Sequence, residues 1–472
     1  MHFEDPTQTS EITSGHEGPW YRGLTSYHWF VLGVAALGWL FDTMDQQLFN
    51  LARVPAITEL LKVKPGDLMI GKYAGWATSV FIIGWAIGGL IFGIIGDKIG
   101  RARTMLLTIL LYSIFTGLSA LSQTPWDFML YRFLTGLGVG GEFAVGVALV
   151  AEVMPDHARA RALGWLQALS AVGNMTAAMI AIVLGQVEAT GSIGSSWRWM
   201  FVIGTLPALL AIVIRMRLKE PDRWKAAAAK VEASGEDAIA GDAKRLGSLT
   251  DLFTDPVWRR NTIVGMLLAL SGVIGLWGIG FFSFDLMRQV FRAHFEGQGL
   301  SADAVNGKLT FWTGIASLVQ NGGAFFGVYA FSVITQKIGR RPTFALFFLL
   351  AAGSTAFTFW FLDSFGDVFW MLPLMGFCQI ALFGGYAIYF PELFPTRLRS
   401  TGTSFCYNVG RLAAAAGPSL LSLLTSNVYG KYHTISPALP LRYAGVTMCA
   451  CFLIGLATLP FAPETKDRPL PE

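Results

Sequence analysis

The chain has 472 residues, 53 % of them hydrophobic and only 14 % charged, with a mean hydropathy of +0.51 and a net charge of +4. Soluble domains carry about a quarter charged residues, so this composition excludes a soluble globular protein and places the chain in a bilayer. The cysteines Cys378, Cys406, Cys449 and Cys451 show neither zinc spacing nor a disulfide framework, and no basic face points to nucleic acid.

In chain order, residues 1–27 form a polar tail that lacks the basic-then-apolar pattern of a cleaved signal. Six apolar runs follow, at 28–50, 73–95, 104–122, 127–154, 162–187 and 198–217. Six more lie at 260–284, 309–334, 343–362, 367–391, 401–425 and 441–461. Each supplies the roughly 20 residues that a spanning helix needs. The runs are continuous rather than alternating, so they predict helices and not barrel strands. The expected division is a tail (1–27), a six-helix bundle (28–218), a linker (219–258), a second bundle (259–462) and a tail (463–472). Within the linker, 224–233 reads as a surface helix and 235–247 as flexible. With both termini inside, the inner side carries more than twice the Lys and Arg of the outer, ten of them between residues 215 and 260. The expectation is a multi-pass protein of the plasma (inner) membrane with both termini in the cytoplasm.

The halves repeat. Gly96-Asp97-Lys98-Ile99-Gly100-Arg101 returns as Thr335-Gln336-Lys337-Ile338-Gly339-Arg340, and Glu152, Pro155 and Arg159 return as Glu392, Pro395 and Arg399. A duplicated membrane bundle is the sequence signature of a solute transporter. Gly136, Gly138 and Gly141 satisfy G-x-G-x-x-G, but they lie inside an apolar span with no strand before them. Close helix packing explains them better than a nucleotide site.

These motifs resemble the major facilitator superfamily over the whole chain. The resemblance implies an all-α fold of twelve transmembrane helices in two pseudo-symmetric halves. Arg132, the run Gly136-Leu137-Gly138-Val139-Gly140-Gly141-Glu142, the stretch from Glu392 to Arg399, and Pro463-Glu464-Thr465-Lys466 resemble its sugar-porter and organic-acid–proton symporter branches. Asp467 stands where the tail signature usually has Gly. The paired glutamine of hexose porters is missing, since Leu268-Ala269 precede Leu270-Ser271-Gly272. The Gly-Pro-x-Pro-Trp pattern of their tenth span is also absent. Phe41-Asp42-Thr43-Met44-Asp45 is similar instead to the first span of aromatic-acid, sialate and monocarboxylate symporters.

Ionisable side chains at membrane depth are costly and usually functional. Asp42, Asp45, Arg132 and Glu142 are therefore the proton-coupling candidates. Helix rise places Asp42 and Arg132 at similar depth in the outer half, and the resemblance implies that these two pair. A static salt bridge between helices is the alternative. Arg411, near mid-membrane, suggests an anionic substrate, because guanidinium binds carboxylate through a planar fork; a pair with Glu142 or with helix carbonyls is the alternative. Asn174, Gln320, Asn321, Gln379 and Asn408 are candidate polar contacts, and Trp277 and Tyr386 candidate walls. The resemblance implies that Asp97, Arg101, Glu152, Arg159, Arg340, Glu392 and Arg399 lock the cytoplasmic end. Gln336 replaces an Asp in the second copy, which should weaken that half of the lock.

The expected function is proton-coupled uptake of a small organic anion: a monocarboxylate, aromatic acid or sugar acid. The rivals are a neutral-solute symporter or uniporter and, third, a drug exporter. The proline expected in an exporter's fifth span is absent. The expected partners are substrate, protons and lipid, with no cofactor and no metal, and the unit is a monomer.

Overall fold

The structure is a computed structural model that describes residues 19–63, 68–189, 192–235, 246–280, 283–299, 302–414, 417–436 and 438–471. Much of the N-terminal tail and most of the expected flexible linker lie outside the described residues. Among the described residues the chain is helical, without strands. The first half holds α1 (Ser26–Leu61), α2 (Leu68–Ile99), α3 (Arg101–Ser119), α4 (Pro125–Val153), α5 (Asp156–Ala189), α6 (Ser196–Ile203) and α7 (Pro207–Arg217). Two connecting helices follow, α8 (Asp222–Gly235) and α9 (Asp251–Thr254). The second half holds α10 (Pro256–Val273), α11 (Ser283–Glu296), α12 (Ala302–Ile338), α13 (Arg340–Phe361), α14 (Val368–Leu393), α15 (Arg399–Ala414), α16 (Gly417–Leu423), α17 (Leu439–Met448) and α18 (Cys451–Thr458).

Ten of the twelve expected spans are helices long and apolar enough to cross a membrane. The other two correspond to α1 and to α15 with α16. Both are rich in polar side chains: α1 carries Asp42, Asp45, Gln46, Gln47 and Asn50, and α15 includes Thr401, Thr403, Ser404, Asn408 and Arg411.

Lipid is as apolar as leucine, so contact between these helices rests on close packing more than on escape from water. The glycine run supplies that packing. A Cβ on Gly136 would meet the backbone of Phe81 and Trp85, and one on Gly138 would meet the backbone of Tyr112. The second half repeats the device, with Gly323 against Pro373 and Gly327 against Phe377. On α2 the opposite stripe, Trp76, Ile83, Ile87 and Ile91, is exposed, as a lipid-facing surface should be.

The halves meet along two seams. α2 lies on α15, with Gly89 beside Asn408 and Gly93 beside Ser404. α5 lies on α12, with Gly164 beside Ser332 and Trp165 edge-on to Phe325 and Tyr329. Both described ends of the chain come to the end that carries the basic loops: the Arg22 carbonyl contacts His157, and Arg399 donates to the Pro471 carbonyl.

Candidate functional site

At the basic-loop end, each copy of the repeated sequence builds the same joint. Gly100 and Gly339 adopt φ of 110° and 96°, a region open mainly to glycine, and turn one helix into the next. The Arg that follows reaches back to the carbonyl five residues earlier, Arg101 to Gly96 at 2.6 Å and Arg340 to Thr335 at 3.1 Å. Arg101 then pairs with Asp97 and Glu152, both at 2.9 Å, and Arg340 with Glu392 at 2.8 Å. A carboxylate from elsewhere caps each new helix. Glu220 accepts the N–H groups of Ala102 and Arg103, and Glu464 those of Arg340 and Arg341.

The same residues tie the halves together. Glu152 also takes Arg399 of the second half at 3.0 Å. Asp97 accepts the backbone N–H groups of Ser400 and Thr401 and the Thr401 hydroxyl, capping α15. At the matching position Gln336 accepts one bond, from Arg161 at 2.7 Å, so the second copy is the weaker tie. Arg159 departs from expectation. It pairs with Asp156, three residues before it on α5, and not with a lock carboxylate; the nearby acid on its own helix captures it.

In the buried centre of the first half, the expected pairing of Asp42 with Arg132 is corrected. Arg132 pairs with Asp45, at 3.5 Å. The cause is the length of α1, which runs to Leu61, well past the apolar run that ends at residue 50. Asp45, one turn beyond Asp42 along α1, is the residue that meets the guanidinium. Arg132 is otherwise satisfied by Ser119 and Thr135 and lies over the Phe201 ring at 4.6 Å. Asp45 accepts the Thr116 hydroxyl at 2.8 Å.

Arg411 reaches across to the first half. Its guanidinium lies 3.8 Å from the Trp85 ring centre and 4.1 Å from that of Tyr407, and it donates to Asn408 at 3.1 Å. Among the described residues no carboxylate comes within ion-pairing distance of it, Glu142 included, and its Nε has no acceptor. Trp277 stands perpendicular to Trp85 at 6.2 Å, in a π-helical turn (Ile274–Ile279) that extends α10. Asn408, Trp277 and Arg411 are therefore brought together.

A sequence model of the Major Facilitator Superfamily matches residues 35–418, most of the chain. The chain belongs to this superfamily. It is similar to a cis,cis-muconate transport protein of Acinetobacter baylyi, 28 % identical over 83 % of this chain and 86 % of the relative. It is also similar to a sialic acid transporter of Escherichia coli, 27 % identical over 87 % and 90 %. Among solved structures, a proton:xylose symporter shares the fold with a TM-score of 0.69, at 18 % identity, over 94 % of this chain and 98 % of that one. The protein is thus a multi-pass transporter of small molecules with the twelve-helix major facilitator fold.

The remaining candidates of this major facilitator protein are placed as follows. Asn174 donates to Asn321 across the α5–α12 seam at 3.2 Å, and Gln320 is buried beside Asn321. Gln379 donates to Thr355 at 2.5 Å, and its carbonyl oxygen has no donor among the described residues. Tyr386 is not brought to Arg411's immediate shell: its hydroxyl donates to the Leu268 carbonyl and its ring stacks on Phe344 and Phe390. Two residues not picked out from the sequence, Trp85 and Tyr407, make the flat faces around Arg411. Tyr407 stands four residues before Arg411, a spacing that signals one helix face. Trp85 carries no local signal, since it comes from the other half.

Proposed function

We propose that this transporter takes up a small organic anion, a monocarboxylate, aromatic acid or sugar acid, together with protons by alternating access. Arg411 carries the reading. A buried guanidinium held by aromatic faces and one amide, with no carboxylate in ion-pairing distance among the described residues, is a ready counter-charge for a substrate carboxylate. Asn408, Trp277, Asn174, Gln320, Asn321 and Gln379 complete the binding region, with Tyr386 as a support behind it. The muconate and sialic acid transporters it resembles carry names of carboxylic acids, which favours an acid over a neutral sugar.

Asp42, Asp45, Arg132 and Glu142 form the proton-coupling group. The protein sits in the plasma (inner) membrane with both termini in the cytoplasm, and acts as a monomer. The basic-loop end is then the cytoplasmic end, and its ion pairs hold the outward-facing state. Asp97, Arg101, Glu152, Arg340, Glu392 and Arg399 are the lock, with Arg159 at its edge. Opening breaks the cross-half bonds to Glu152 and Asp97 and leaves the in-half ones intact.

The test is thermal stability of the purified protein with cis,cis-muconate, sialic acid or xylose. A ligand that binds the folded state alone stabilises it by mass action. At least one acid should raise the melting temperature of wild type and not of Arg411→Ala. Stabilisation by xylose alone would move the assignment to a neutral-solute symporter.

A further inference from the structure

A polar column runs along one face of α1. Gln46, Asn50 and Arg53 follow Asp42 at intervals of four, four and three, which keeps them on one side of a helix. The other sides of α1 are taken. Asp45 turns to Arg132 on α4, Thr43 donates to the Ser170 carbonyl on α5, and Phe49 packs on Phe81 of α2. The face between α5 and α2 is the one left, and there Gln46, Asn50 and Arg53 are each partly exposed. An ionisable side chain on a spanning helix faces the bundle interior or a water-filled cavity rather than lipid.

Arg53 marks where that face meets α2. Its guanidinium donates to the Thr78 hydroxyl at 2.8 Å. Thr78 precedes Trp85 by seven residues and Gly89 by eleven, so all three share one face of α2. Trp85 meets Arg411 on that face, and Gly89 meets Asn408, so it is the face turned toward the second half. Thr78 lies roughly 10 Å from Trp85 by helix rise, on the side away from the basic loops. It is tied to the Ala74 carbonyl at 2.9 Å, which steadies one arm of the guanidinium and leaves the rest of the planar fork to take a carboxylate. Among the described residues no carboxylate lies within ion-pairing distance of Arg53. The nearest acid along α1, Glu59, is engaged by Ser195, Trp197 and Arg198.

We propose that Arg53 and Thr78 form a second anion site at the mouth of the cleft, where the carboxylate of a small organic acid docks before it reaches Arg411. The proposal rests on the organic-anion reading above and extends it along the entry path. A cation set in a cleft with low-dielectric walls raises the local concentration of anions. Two guanidinium stations about two helical turns apart then pass the acid inward, so its charge is not left unpaired between bulk water and the centre.

The test needs no substrate. Asn50→Cys places a thiol one turn from Arg53 on the same face, and the four native cysteines are buried. Two small methanethiosulfonate reagents, one a sulfonate anion and one a trimethylammonium cation, are compared, each relative to its rate with a free thiol. The anion should be favoured at residue 50. Adding Arg53→Gln should cut that preference roughly fivefold or more, the effect of one nearby unit charge, while Arg53→Lys should keep it and serves as the folding control. A thiol that neither reagent reaches overturns the proposal, as does a preference unchanged by Arg53→Gln. With an acid that stabilises wild type, uptake by Arg53→Gln should show a several-fold higher KM at the same maximal rate, and an unchanged KM overturns the docking role. An anion preference at residue 50 without binding of any acid would sink the substrate reading and leave the outer site standing. Acid binding that is lost in Arg411→Ala, without the preference, would do the reverse.

Discussion

Replacing Glu152 with Gln should tilt the transporter toward the state open at the basic-loop end. One carboxylate oxygen takes Arg101 at 2.9 Å and Arg399 at 3.0 Å, and all three side chains are fully buried. Removing one partner of a buried ion pair costs about 3–5 kcal/mol. Arg101 belongs to the same half as Glu152 and stays beside it through the cycle, so its share falls equally on both states. Only the Arg399 share, about half or roughly 2 kcal/mol, bears on the equilibrium. At about 1.4 kcal/mol per tenfold, the open population rises roughly thirtyfold. It does not become complete, because Asp97 still caps α15 through three bonds. Ser332 is fully buried against Gly164 in the α5–α12 seam, so maleimide labelling of a Ser332→Cys protein reports opening. The four native cysteines are buried and give a low background. An unchanged labelling rate in the Glu152→Gln background would refute the reasoning and leave these charges a role in folding or topology alone.

Asp42→Asn should abolish proton-driven accumulation while retaining substrate counterflow, because Asn binds but cannot titrate; normal uphill uptake would remove Asp42 from the coupling. Arg411→Lys should already bind acids poorly, since it keeps the charge and loses the planar fork. Arg411→Ala should lose about 2–5 kcal/mol of binding, measured by calorimetry with whichever acid stabilises wild type. At the second loop joint, burial pushes the Glu464 carboxyl up, but the N–H groups of Arg340, Arg341 and Lys466 outweigh it and hold it below the usual carboxylate range. A lowered folded-state value means that the cap stabilises fully above about pH 4 and is lost as pH falls below that. Amide exchange at Arg340 and Arg341 should therefore gain protection across that interval in wild type and show no such step in Glu464→Gln.

The fold was legible because its signals are local or periodic. Apolar runs mark the spans, and the Gly-Arg joints recur half a chain apart. The glycine run between Gly136 and Gly141 was readable as packing because no strand precedes it. The ends of helices were less legible. α1 continues through Pro55 to Leu61 although its apolar run stops earlier, and that extension moved the ion pair from Asp42 to Asp45. Contacts between the halves were the least legible of all. Trp85 meets Arg411, Glu152 meets Arg399 and Asp97 caps α15 across hundreds of residues, and no spacing rule connects such partners. The capping carboxylates Glu220 and Glu464 follow the last span of each half, so the duplication itself was the signal that would have found them.

The central claim is symport of an organic anion with protons, and solute-driven proton movement measures it most directly. Purified protein is reconstituted in liposomes holding a pH-sensitive dye, and cis,cis-muconate, sialic acid or xylose is added outside with no imposed gradient. An organic acid should acidify the lumen in wild type. Arg411→Ala should show no acidification, and Asp42→Asn should exchange the acid without moving protons. For a monoanion moving with one proton, the rate should be nearly insensitive to an imposed voltage, since a net charge would feel about 2.3 kcal/mol per 100 mV. Acidification driven by xylose and not by either acid, or acid uptake that moves no protons, would contradict the account.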